Sequence, residues 1–195
     1  MRLSSILLLS IFVPIGLPAQ DTAIVKINWA LLETAWKAYR LTPTDANAAK
    51  VCNALPGRTP EEIPTSVIGS SVTDSIYGNL DDLEAQIKLK NRSAVGLAFR
   101  LMTIADGDFG ETLDQMLGRL IRVDPRLFLG ELRKNRHLVV RLDALVGNLG
   151  EDFIDNEDAT KHELMLRIRS LRSVKDSGLQ TTRDECITEL RSQAE

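Results

Sequence analysis

Histidine and cysteine are scarce in this chain. Its 195 residues include two of each, and aromatic residues make up only 5%. Each shortage narrows the field. His137 stands in "RKNRHLVV", where an imidazolium suits the carboxyl end of a helix. His162 is followed by Glu163 as in a zinc-protease motif, but Leu166 occupies the place of the second histidine. No G-x-S-x-G, P-loop, G-x-G-x-x-G or C-x-x-C occurs, so no familiar catalytic or nucleotide-binding motif is present. With few aromatics, the 44% hydrophobic content is mostly aliphatic. That favours packed helices over a β-sandwich. There is no excess of basic charge: 24 Lys and Arg face 27 Asp and Glu. A mildly acidic surface is a poor start for binding nucleic acid, and none is expected as a partner.

The first residues have an order of their own. "MRLSSILLLSIFVPIGLPAQ" has one basic residue, Arg2, then an apolar run from Ile6 to Leu17, then the small Ala19. This is the layout of a secretory signal peptide, expected to span residues 1–19 and to be removed. A membrane anchor is the other reading, but the run is short and holds Pro14. The remaining chain, 20–195, is expected to be one exported domain, periplasmic or extracellular, with no stable membrane insertion after cleavage. In an oxidising compartment an even cysteine count suggests a bridge. Cys52 and Cys186 are expected to form it, closing a long loop.

The rest of the chain reads as helix after helix. Periodic apolar stripes start with Ile24, Ile27, Leu31, Ala35 and Tyr39, and Trp29 and Trp36, on a neighbouring stripe, are expected in the core. A short Ala-rich helix carrying Cys52 follows, opened by Thr44 or Asp45 and stopped at Pro56-Gly57. The segment 56–71, rich in Pro, Ser and Thr, is an irregular loop. Beyond it, stripes recur at Leu80–Ile87 behind Asn79 as cap, Ala94–Ala105, Phe109–Ile121, a helix opened by Asp124-Pro125, Leu138–Leu149, Leu164–Leu171, and a last helix opened by Thr182 and Glu185. No confident strand pattern appears. The fold expected is all-α: about eight or nine short antiparallel helices in a right-handed stack or an irregular bundle.

From Asn79 to Gly150 the paired amphipathic helices, the Asp124-Pro125 corner and the arginines near helix ends resemble HEAT and armadillo hairpin repeats in architecture. The resemblance implies a protein that works by presenting a surface to a partner.

Three polar stretches are candidates for chemistry. "DGDFGE" at 106–111 looks like the front of a calcium loop, but Phe109 and Gly110 stand where further ligands belong. A corner between helices capped by Asp108, with Glu111 three residues on, is expected instead. The acidic turn from Glu151 to Glu163 fits no EF-hand register and suits the start of a helix. Asn91 in "NRS" is a possible glycosylation acceptor. The most one-signed patch is basic: Arg119, Arg122, Arg126, Arg133 and Arg136 form the candidate interaction surface. No metal and no cofactor is expected. The function expected is a non-catalytic module that binds another protein. The alternatives are an exported hydrolase-type enzyme with its site near the 56–71 loop, or an inhibitor or immunity-type protein. The intact mass of the exported chain tests the leader: an N-terminus at residue 20 or 21 is expected, and an uncleaved chain would contradict it.

Overall fold

In a computed structural model of the full chain, residues 27–57 and 71–195 are described. The signal segment and most of the 56–71 loop lie outside these residues. Ten α-helices and no strand occur among the described residues. They are α1 (Trp29–Leu41), α2 (Asp45–Ala54), α3 (Ser71–Tyr77), α4 (Asp81–Lys88), α5 (Arg92–Leu101), α6 (Gly107–Val123), α7 (Pro125–Asn135), α8 (Leu142–Gly147), α9 (Glu157–Ser173) and α10 (Gln180–Ala194).

Local chemistry sets many of the boundaries. Thr44 Oγ1 accepts from the Asn47 amide and opens α2. Asn91 Oδ1 accepts from the Ser93 and Ala94 amides and opens α5, so this possible glycosylation residue serves as a helix cap. Asp124 Oδ1 accepts from the Leu127 amide, with Pro125 at the first helical position. Asn156 opens α9, and Glu157 and Asp158 lie in its first turn, where the helix dipole favours acids.

Three expected starts differ. Asn79 is not a cap; its side-chain amide donates to the Ser75 carbonyl, and α4 starts without a side-chain cap. The last helix begins at Gln180, ahead of Thr182, which is buried inside it; Glu185 instead faces Arg136. The stretch expected as one helix over Leu138–Leu149 is broken. A 3₁₀ turn at Arg136–Leu138 gives way to extended backbone at Val139, and α8 starts only at Leu142. Two adjacent β-branched residues, Val139 and Val140, stand at the break and slightly lower the helix propensity there.

Short connections turn α2 back on α1, α5 on α4, α6 on α5, α7 on α6 and α10 on α9. Helices also pack on those two places along: α4 on α6, α6 on α8 and α8 on α10 make one row, and α5 on α7 and α7 on α9 make a second. The α1–α2 pair adds to the end through α2 against α5. The core runs unbroken through both rows, from Trp36, which stacks on Tyr39, to Leu190.

This topology overturns the expected disulfide. Cys52 and Cys186 are free thiols. Cys52 is on α2, which packs on α1 and α5, whereas Cys186 is on α10, which packs on α7, α8 and α9. A disulfide needs Cα atoms within about 7 Å. Here α5 and α7 stand between the two helices that carry the thiols. Burial raises both thiols, Cys186 to about 12.

One buried cation braces the α6–α8–α9 junction. Arg167 on α9 is 2% exposed. Its Nη1 donates to the Val146 and Asn148 carbonyls at the end of α8. Its Nε lies 3.6 Å from Glu163 Oε1, close enough for charge attraction but too far for a hydrogen bond. Gly118 of α6 leaves the room: a Cβ there would sit 2.8 Å from Arg167 Nη1 and 2.9 Å from the Leu145 carbonyl oxygen. Gly118→Ala therefore sets a helix-propensity gain of about 1 kcal/mol against a steric clash. The clash involves backbone and should win, giving a net loss of about 1–3 kcal/mol in denaturant unfolding. A variant more stable than the parent would contradict this account.

Candidate functional site

The corner between α5 and α6 is the "DGDFGE" stretch. Asp106 occupies the cap position without a side-chain hydrogen bond, and α6 begins at Gly107. Gly107 has φ +43°, a backbone state glycine adopts without strain. Asp108, expected as the cap, lies one residue inside the helix, exposed in its first turn. Phe109 opens the apolar face as expected and packs on Tyr77, ring centroids 5.7 Å apart.

Because 139–141 is not helical, it runs past this corner and leaves a cleft of about 470 Å3. Met102, Ala105, Leu138, Val139, Val140 and Ala144 supply its apolar side. Asp106, Glu111 and Asp114 supply the acidic side, with Arg141 across from them. Spacing explains part of this. Glu111 and Asp114 are three apart, so they share a face of α6, and Gly107 and Gly110 keep that face low.

Charge is unevenly managed in the cleft. Arg141 Nη2 donates to Asp143 Oδ2 at 2.5 Å, and this contact holds the Asp143 carboxyl below its usual value. Asp114 has no such partner among the described residues. Burial is the main force on its carboxyl and pushes it up to about 7; Arg141 opposes this, and Asp143 and Glu111 add to it.

The five arginines of the candidate surface are each tied to another element. Arg119 meets Glu84 of α4 at 2.9 Å, Arg122 meets Glu163 of α9 at 2.6 Å, and Arg126 meets Asp176 at 2.9 Å. Arg133 donates to the Gly178 carbonyl, and Arg136 to Glu185 and the Val139 carbonyl. They tie α6 to α4 and α9, α7 to the connection between α9 and α10, and the 136–138 turn to α10. His137 and His162 are both exposed, and neither lines the cleft. Among the described residues, no group of three or more His, Cys, Asp or Glu is arranged to hold a metal ion. Sequence reasoning missed Asp114 and Arg141. The signal available was the Val139-Val140 pair, which marks a helix break opposite the "DGDFGE" corner.

Comparison with known proteins finds no matching family model, no matching curated protein and no matching solved structure. The likeness to HEAT and armadillo hairpins is therefore one of helix pairing alone.

Asp114 links pH to stability with a definite sign. Its folded pKa of about 7 lies above its ordinary value of 3.8. Between those values the folded chain keeps a proton that the unfolded chain has lost, so stability falls as pH rises from about 4 to about 7 and then levels off. Asp114→Asn removes the titration and keeps the shape. Its melting temperature relative to the parent should climb over that range, reaching about 4 °C above the parent at pH 8. A difference that does not change with pH would contradict the assignment.

Proposed function

We propose that the protein is an exported, non-catalytic interaction module that docks a segment of another protein in the cleft between the α5–α6 corner and residues 138–144. The observation that supports this is the composition of the cleft: an apolar strip lies directly beside carboxylates that make no ion pair among the described residues. Such a surface suits an amphipathic segment, with apolar burial supplying affinity and charge supplying register. The arginine row braces the helices that frame the cleft and, where it remains exposed, can extend the contact to acidic groups of the same partner.

A hydrolase is the second reading, favoured by one observation. Asp114 near neutrality beside Glu111 puts two carboxyls in one cleft, the minimum for acid–base work.

Site-specific photo-crosslinking separates these readings. Val140 lies on the cleft rim and is 46% exposed; Met165 on α9 is 52% exposed and does not line the cleft. A crosslinking residue at Val140 should yield one protein adduct in the native exported fraction, and the same residue at Met165 should not. Equal adducts at both positions, or none at Val140, would contradict the docking reading. Turnover of glycoside or ester substrates that Asp114→Asn abolishes would favour the hydrolase.

A further inference from the structure

The strip and the carboxylates together specify the occupant more narrowly than "a protein". Three acidic side chains, Asp106, Glu111 and Asp114, line one side of the cleft. The cation across from them, Arg141, is already engaged by Asp143. Arg141 also attracts Asp114 but makes its close contact with Asp143, so the three carboxyls have no ion pair of their own among the described residues, beside the exposed Val140.

We propose that the cleft recognises a lysine or arginine side chain of the partner protein, its cationic end held between Asp106, Glu111 and Asp114 and an adjacent aliphatic residue of the same segment packed on the exposed Val140. This rests on the reading of the cleft as the docking site and goes beyond it by naming the residue recognised. The geometry suits the chemistry. A lysine or arginine carries an aliphatic stem that can lie along an apolar surface while its charged head reaches the carboxylates. The half-buried Asp114 is the strongest of the three contacts, because a charged hydrogen bond gains most where water is partly excluded. An acidic segment would be repelled by Asp106, Glu111 and Asp114. Occupation also has a pH signature. Burial holds Asp114 near neutrality, and a cation beside it stabilises the ionised form. Binding therefore releases a proton around pH 6 to 7 and tightens as pH rises through that window. The charged groups facing Asp114 are Arg141, Asp143 and Glu111.

The test uses the full chain, labelled for NMR, and two neutral-capped tripeptides: acetyl-Leu-Lys-Leu amide and its norleucine analogue, which keeps the stem and lacks the charge. The lysine peptide should shift the amides of residues 106–114 and 138–144, at least about tenfold more tightly at pH 8 than the analogue. Asp114→Asn should remove most of that difference, and Glu111→Gln, at an exposed position, part of it. Asp152→Asn, an exposed acid in the turn before α9, should change nothing. Equal affinity for the two peptides, or no loss in Asp114→Asn, overturns the proposal. The two readings fail separately. A Val140 adduct with equal peptide affinities leaves the docking site standing without cation recognition. Lysine-selective shifts without any adduct uphold cation recognition and remove the protein partner.

Discussion

The last carbonyls of a short helix have no partner within the helix, and in this protein arginines from neighbouring helices supply many of the donors. Arg167 does this for α8 from a fully buried position, reaching the Val146 and Asn148 carbonyls. Arg100 of α5 donates to the Cys52 and Leu55 carbonyls at the end of α2. Arg183 of α10 donates to the Val174 carbonyl at the end of α9. Each bond satisfies a helix end and fixes the distance to the next helix at the same time. A planar guanidinium is well suited to such bridging. It has five donors in a fixed fork and keeps its charge even when burial lowers its pKa, as with Arg167 at about 10.

The candidate cleft depends on this bracing. Its 138–144 wall contains no long helix, only a 3₁₀ turn, an extended step and the short α8. Arg136 donates to the Val139 carbonyl at the start of this wall, and Arg167 holds the carbonyls at its end. The opposite wall is carried by α6, which packs on α4, α5, α7, α8 and α9. Both sides are thus held by parts of the protein that the cleft does not include, and a docking site gains from walls that need no ordering on binding.

Much of the architecture is legible in the sequence, for physical reasons. Apolar stripes at three- and four-residue steps locate the helices, and Thr44, Asn91 and Asp124 mark helix starts through side-chain oxygens that take amide hydrogen bonds. Legibility drops where two local signals compete. Leu138, Leu142, Leu145 and Leu149 keep helical step and all are buried, yet the helix breaks between the first two, at the Val139-Val140 pair. The Thr182–Glu185 box does not set a helix start because α10 begins earlier, on Leu179 packed into the core. Half of the cleft is visible as "DGDFGE"; the other half lies about thirty residues on, in a stretch with helical periodicity.

The sequence alone determined that the described chain is helical and where most turns fall, because caps, stripes and breakers act within a few residues of themselves. Only the tertiary structure decided which distant groups meet. It separated Cys52 from Cys186 by placing α5 and α7 between their helices. It drew the arginine patch into ties with acids and carbonyls of other helices. It set Asp114 beside Arg141, from two elements with no local link, and partly buried the carboxyl there. Desolvation and charge pairing act through space, and no local pattern encodes which helices become neighbours.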